Sequence, residues 1–574
     1  MWERRKFSCV TLFALAFCWL AGSPANAAQS TIPGTGAVTG TVTAGKPFTA
    51  AQVYLRSTEK PVTFMVYTSG GKYQAINVLP GEYEVTVARR GFSSEAQKIT
   101  VTPGGTTTAD FVLKDADPTP KPGINGPSTV VGYPGRATIT DKDVEFHTDY
   151  DKVYPPGPGR VVAERVCMSC HGVNFISLRQ WDRNAWNGVI DMMSKRIDGM
   201  DTRIPPGKMT LAERALLLDY FAANFGPNSK KRALAIGTDM PLDEAALGNA
   251  MYIEYDMPKV GANGRPIGQN PYFDNDGNVW TTDRGQPNAI VKLDPRTATF
   301  EHYRLPERGI PHGITVDSKG TVWWGETVGF KFGRLDPKTG KIDRYPIDPR
   351  GYLKGRGHDP IVDAEDNIWL TVINGNRLAK LDGKTGKISL YEPPTPNSYP
   401  YGADKDKQGN IWISQFTQCR MAKFDPKEEV FTEYPALTAY QDDPFCLIRR
   451  GSVDKNGMVW YGVFSNGKIG KIEPASGKMV EYKMPVAFAE PYDIWPDKDN
   501  NMWIADGAMG GAIVKFDQKT EQFTFYPTVQ RGDLPKLEIT REGAIWYNPR
   551  SALKGAVGVL YPDMTKMTSY EARY

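Results

Sequence analysis

The sequence predicts a multidomain, mainly β protein: an N-terminal β-sandwich, a small all-α domain and a C-terminal seven-bladed β-propeller. Seven tryptophans, Trp280, Trp323, Trp369, Trp412, Trp460, Trp503 and Trp546, recur at spacings of 43, 46, 43, 48, 43 and 43 residues. The 574 residues include 57 Gly and 44 Pro, a turn-rich composition foreign to helical bundles. Apolar residues at helical spacing appear between residues 160 and 226.

The N-terminus reads as a targeting segment. Arg4, Arg5 and Lys6 precede an apolar run from Phe7 to Ala21, and Ala25-Asn26-Ala27 follows as a cleavage pattern. Residues 1–27 are therefore expected to be a signal peptide. No later stretch approaches about 18 consecutive apolar residues, so no stable membrane span is expected after cleavage. The mature chain is expected to be exported, to the periplasm in a bacterium. A net charge of +4 is too balanced for the clustered basic excess of a nucleic-acid binder.

Residues 35–115 alternate in short apolar segments such as Ala51–Leu55, Thr63–Tyr67 and Tyr83–Val87, which read as strands. The stretch GKYQAINVLPGEYEVTVARRGF (71–92) resembles the carboxypeptidase regulatory-like domain, a small β-sandwich. Residues 116–159 carry Pro118, Pro120 and Pro122 and then Pro155, Pro156 and Pro158. Proline disfavours helix and sheet alike, so this stretch reads as a semi-stiff linker. Residues 160–228 follow as the helical domain. Trp186, Val189, Ile190 and Met193 mark one helix, and Leu211, Ala215, Leu218 and Phe221 another, stopped by Gly226-Pro227.

Within that domain stands Cys167-Met168-Ser169-Cys170-His171. C-x-x-C-H is the covalent attachment pattern of c-type haem. Two thiols at this spacing reach the two vinyl groups of one porphyrin, and His171 is placed to ligate the iron. A zinc half-site or a redox dithiol would need a second Cys pair, a His partner or a βαβ pattern, and none lies nearby. The helical context resembles a small class I cytochrome c domain. That resemblance implies Met as the distal ligand, which raises the reduction potential relative to His. The related pattern W-x-x-V-(V/I)-x-x-M lands on Met193. Met200 and Met209 lie nearer the loop position used in larger cytochromes, with Met192 and Met240 as further candidates.

From residue 250 to the end, each unit has the style of GNVWTTD…IVKLDPRTATFEHYRLP. A period near 43 with four strands per unit predicts propeller blades. An extra outer-strand segment, YIEYDMP at 252–258, precedes the first unit, and a seventh is expected at 567–574. Either terminus is open as the one that closes the ring. Seven blades and the lack of a vicinal Cys pair argue against a quinone-cofactor propeller.

The repeats resemble virginiamycin B lyase. The resemblance implies a Mg²⁺-assisted elimination, with His at the start of two consecutive inner strands and Glu fourteen residues after one of them. Here Pro311-His312 is followed by Glu326 at that distance, and His358 holds the same place one blade on. His312, Glu326 and His358 are thus the candidate catalytic set, with Glu326 as the candidate Mg²⁺ ligand. Ile310 stands where that family has Glu. In the sixth blade Glu490-Pro491 is kept, but Tyr492 replaces His and Asp506 replaces Glu. Across the blades this position gives a ring of Gln269, His312, His358, Tyr401, Arg449, Tyr492 and, one residue offset, Lys536. Such a ring suits an anionic or hydrogen-bonding ligand. His302 and His147 receive no function.

Cys419 and Cys446 lie 27 residues apart and are expected to pair in an oxidising compartment. The reading is an exported monohaem c-type electron carrier whose propeller binds a redox partner protein or a small electron donor, with a periplasmic oxidoreductase as the enzyme class that such a donor implies. A Mg²⁺-dependent lyase with an appended cytochrome, or a docking propeller without catalysis, are the alternatives.

Overall fold

The computed structural model describes residues 29–116, 144–168, 173–174, 176–194, 209–235, 240–261, 264–353, 355–440, 446–507, 511–530, 532–550 and 554–574. The chain is mainly β. Its N-terminal unit is a β-sandwich. One sheet orders Lys72–Val78, Gly36–Ala44, Phe111–Asp115 and Phe92–Ser93; the other orders Val62–Tyr67, Gln52–Ser57, Gly81–Ala88 and Gln97–Val101. Period-two alternation in Gly81–Ala88 turns Tyr83, Val85 and Val87 inward onto Val38, Phe64 and Val66.

Six four-stranded antiparallel sheets follow as blades one to six. The second strand of each carries the periodic Trp. Six residues before it, an Asp organises the preceding turn. In blade one, Asp274 Oδ1 accepts the backbone N–H groups of Asp276 and Asn278, both at 2.9 Å, while Oδ2 accepts Trp280 Nε1 at 2.8 Å. The same Asp–Trp bond recurs at Trp323, Trp369, Trp412, Trp460 and Trp503. Three residues before each Trp the backbone is left-handed. Gly277, Gly320, Gly409, Gly457 and Gly543 fill that place in five blades, and Asp366 and Asn500 fill it in the others. Blade seven breaks the Asp rule. Thr540 stands at the Asp position, and buried Trp546 stacks on Tyr255 instead, with ring centroids 6.2 Å apart.

The N-terminal candidate closes the ring. Blade seven is built from Leu537–Ile539, Ile545–Tyr547 and Ala556–Tyr561, with Met251–Asp256 as its outer strand. The expected outer strand at 567–574 does not form, because that edge is already paired. The tail instead crosses under blade one. Ala572 N–H donates to Gly277 O at 3.0 Å, and the Tyr574 hydroxyl donates to Glu538 at 2.9 Å. The far edge of Met251–Asp256 pairs with Val62–Tyr67, so blade seven and one sandwich sheet form a continuous eight-stranded sheet.

Glu254 lies in the middle of this shared strand, 1% exposed. It accepts from the Tyr547 hydroxyl at 2.8 Å and from Gln530 Nε2 at 2.9 Å. Burial lifts its carboxyl from the ordinary 4.5 to about 7, against the downward pull of those bonds. The folded state therefore holds this proton more tightly than the unfolded state. Glu254 thus favours folding at low pH, and that contribution is lost as pH rises between 4.5 and about 7. Glu254→Gln is expected to flatten this decline, read as the melting temperature across pH 5 to 8.

Between sandwich and propeller lies a helical unit. Helices Pro158–Ala163, Arg183–Ser194 and Leu211–Asn224 gather around Trp186, Leu217, Phe221 and Phe225. Thr210 and Glu213 cap the last helix reciprocally. Two expectations change here. The unit is not all-α, since Val144–His147 pairs in parallel with Lys231–Leu234. The linker expected over 116–159 is structured from Val144 onward, because Val144, Val153 and Tyr154 are apolar enough to join the helical core. Among the described residues no helix is long and apolar enough to cross a membrane.

Candidate functional site

The inner strands of blades one to six share a register irregularity two or three residues from their start, for example between Pro311 and Ile314 and between Gly357 and Pro360. A bulge re-aims side chains. It falls on the ring read from the repeat, and the ring residues meet around the axis. Gln269, His312, His358, Tyr401, Tyr492 and Lys536 are buried; Arg449 is half-buried.

The rings of His312 and His358 lie 3.8 Å apart, and those of His358 and Tyr401 3.9 Å apart. The Tyr401 and Tyr492 hydroxyls are hydrogen-bonded at 2.5 Å. Arg449 Nη1 donates to both, at 2.8 Å and 3.3 Å. Its guanidinium is walled by Phe464, Phe416, Tyr492 and Tyr401, 4.4 to 5.3 Å from their centroids. Arg284 and Arg550 donate to Gln269 Oε1 at 3.0 Å and 3.3 Å. Arg550 also pairs with Asp533. One residue further along the inner strands, Arg450 is ion-paired with Asp359, both almost wholly buried. Lys536 and Glu538 pair at 2.9 Å.

Burial, the other imidazole and the arginines push His312 well below the usual range; burial and Arg450 do the same for His358. Both are neutral near pH 7. Burial opposes ionisation of Tyr492, but Arg449, Arg550 and Arg450 outweigh it and hold the phenol below its ordinary value. Burial raises Tyr401. Burial, with Asp506 beside it, lifts Glu490 to about 8, so its carboxyl is protonated at pH 7.

Glu326 does not join the imidazoles. Its carboxylate is fully buried and held by Arg344, which donates through Nε at 2.8 Å and Nη2 at 2.5 Å. Among the described residues no three His, Cys, Asp or Glu side chains converge as metal ligands. The structure brings together His312 and His358 and turns Glu326 to an outer-strand arginine. It also adds residues that the repeat column at the inner-strand start did not reveal. Arg284, Phe416, Phe464 and Arg550 all stand four residues after their blade Trp, a second column of the same repeat. Gly507 fills that place in blade six. A Cβ there would meet Tyr492 and Phe464, each at 2.9 Å.

Cys419 and Cys446 are disulfide-bonded, with Cα atoms 5.3 Å apart. The bridge ties the start of the Ile448–Val453 strand, which carries Arg449, to the turn after Phe416. Cys419→Ser/Cys446→Ser is expected to lower stability by about 3 kcal/mol in the chain-entropy model, measured by denaturant unfolding under non-reducing conditions.

In the helical unit, Cys167 is half-buried at the edge of the apolar core. Met193 and Met209 pack against that core, whereas Met192 is 55% exposed. Met240 is buried in a propeller cluster with Trp460. Cys170, His171 and Met200 lie outside the described residues. The Tyr150 hydroxyl donates to Glu164 at 2.8 Å and lies 3.4 Å from Met168 Sδ, and its ring stacks on Phe488 of the propeller, ring centroids 5.6 Å apart. Phe488 stands on the loop leading to Glu490 and Tyr492.

Among solved structures, a streptogramin B lyase is 22% identical, covering 55% of this chain and 98% of its own, with a TM-score of 0.48. Virginiamycin B lyase from Staphylococcus aureus is also 22% identical, covering 54% of this chain and 99% of its own, with a TM-score of 0.47. YCF48 bound to D1 peptide is 12% identical, covering 54% and 95%, with a TM-score of 0.43. No curated protein matches the chain. Residues 37–114 match the carboxypeptidase regulatory-like domain, and residues 248–419 match the virginiamycin B lyase family. The chain thus carries a carboxypeptidase regulatory-like β-sandwich and a virginiamycin B lyase-like β-propeller.

Proposed function

We propose that this protein is an exported electron carrier with one covalently bound haem c, and that its propeller binds the electron donor or redox partner. The C-x-x-C-H motif at 167–171 carries the reading. The helical unit fits the group. Cys167 is half-buried against an apolar core that also carries half-buried Val173, Trp181, Met193 and Met209, a composition suited to a flat apolar ring. Cys167 and Cys170 would hold the porphyrin, His171 the iron on one side and Met193 on the other. The haem would supply one-electron chemistry.

This chain's own residues seat that unit on the propeller. Tyr150 touches Met168 on one side and Phe488 on the other, so the attachment segment lies two side chains from the loop feeding Tyr492. A donor at the axial ring would thus sit on the same face as the haem. The lyase reading has less support, because Glu326 is engaged by Arg344, and Tyr492 stands where the sixth blade would carry the family's His. The signal peptide over 1–27 supports export, with the sandwich over 35–115 as a spacer.

Met193→Ala is expected to abolish the weak far-red sulfur-to-iron band of His/Met ligation and to lower the reduction potential. Survival of that band in Met193→Ala, with its loss in Met209→Ala or Met200→Ala, would transfer the role to a loop methionine.

A further inference from the structure

The axial ring leaves buried polar atoms without hydrogen-bond partners among the described residues. They are Gln269 Nε2, both polar atoms of the Asn270 amide, His312 Nδ1, His358 Nε2, Asp359 Oδ1, and Arg450 Nε and Nη2. All lie on inner strands of blades one, two, three and five, at the first or second position of the axial ring. Buried polar atoms left unpaired are costly, so a cluster of them marks a place completed by something else. The inventory is lopsided. Gln269, Asn270 and Arg450 offer up to seven N–H bonds on four nitrogens, whereas the fixed acceptors are Asn270 Oδ1, Asp359 Oδ1 and His358 Nε2, since neutral His358 gives its Nδ1–H to the Tyr401 carbonyl at 2.9 Å.

We infer that this ring binds a small organic carboxylate, held by the N–H groups of Gln269, Asn270 and Arg450 in the field of the Arg449 charge, with its carbon skeleton against Phe416, Phe464, Tyr401 and Tyr492. An ionised carboxylate offers acceptors alone, which is what the donor excess requires. Its planar pair of oxygens matches a guanidinium fork. The aromatic walls around Arg449 favour an anion with an apolar body over a bare inorganic ion. Neutral His312 and His358 add hydrogen-bonding groups without adding charge. The inference rests on the propeller being the binding module of the proposed function, and it names the chemical class bound there.

The test uses the full exported protein and titration calorimetry with benzoate, its neutral isostere benzamide, and sulfate. Benzoate is expected to bind saturably, at least tenfold more tightly than benzamide or sulfate. Arg449→Gln is expected to weaken benzoate at least tenfold. Tyr492→Phe, which keeps the ring's shape, is expected to weaken it several-fold, and it serves if the arginine variant does not fold. Absence of saturable benzoate binding, equal binding of benzamide, tighter binding of sulfate, or unchanged affinity in both variants would overturn the inference. The haem spectrum is recorded on the same samples. Benzoate binding by a protein without covalent haem would sink the electron-carrier reading alone. Covalent haem without benzoate binding would sink the carboxylate site alone.

Discussion

Asp359→Ala is expected to destabilise the propeller by about 3–5 kcal/mol, because it leaves Arg450 as a buried charge without its carboxylate. The two side chains are 1% and 3% exposed and ion-paired, and Asp359 also accepts the Ala403 backbone N–H at 3.2 Å. The pair links blade three to blade five across the axis, so the loss should appear as a lower denaturant midpoint for the propeller transition. Asp359→Ala combined with Arg450→Leu removes both charges and is expected to recover part of the stability. A single mutant as stable as the parent would show that water solvates Arg450 in place of the carboxylate.

The second large effect is on haem retention. Cys167→Ala/Cys170→Ala is expected to lose covalent haem entirely, leaving a protein whose pigment separates on denaturing gels. Either single variant keeps one thioether. The propeller should keep its own unfolding transition in all three, because Cys167 packs against the helical unit's core and not against the propeller clusters. Full pigment retention by the double variant would remove Cys167 and Cys170 as the attachment points.

Much of the fold was legible because the blade repeat is written in columns. The Trp period, the Asp six residues before it and the left-handed residue three before it each have a local cause: a turn, a side-chain bond and a steric constraint. Ring closure was not legible. YIEYDMP and the C-terminal tail carry the same aromatic pattern, and only the pairing of Met251–Asp256 with Ala556–Tyr561 decides between them. That pairing spans some three hundred residues of chain, beyond the reach of any local signal. The structured start of the helical unit was hidden for the opposite reason. Its prolines are strong local breakers, but Val144, Val153 and Tyr154 among them are anchored by distant partners.

At the candidate site, one column of the repeat named the ring, from Gln269 to Tyr492. Arg284 and Arg550 stood in another column, four residues past Trp, and their convergence on Gln269 depends on blades one and seven being neighbours. Glu326 was placed by its fourteen-residue spacing from His312. The spacing is real, but Arg344 on the outer strand of the same blade binds the carboxylate. A motif fixes where a residue sits along a strand, not which cation reaches it. The C-x-x-C-H motif at 167–171 is a reading of another kind: attachment chemistry of that sort depends on local spacing alone, so the proposal of haem rests on five adjacent residues.

The most direct measurement is the mass of the exported protein under denaturing conditions, taken with its visible spectrum before and after dithionite reduction. The expected mass is that of residues 28–574 plus one haem, with reduction sharpening the spectrum to that of a c-type haem. A mass equal to the polypeptide alone, with any pigment released into acidified acetone, would contradict covalent haem and with it the electron-carrier function.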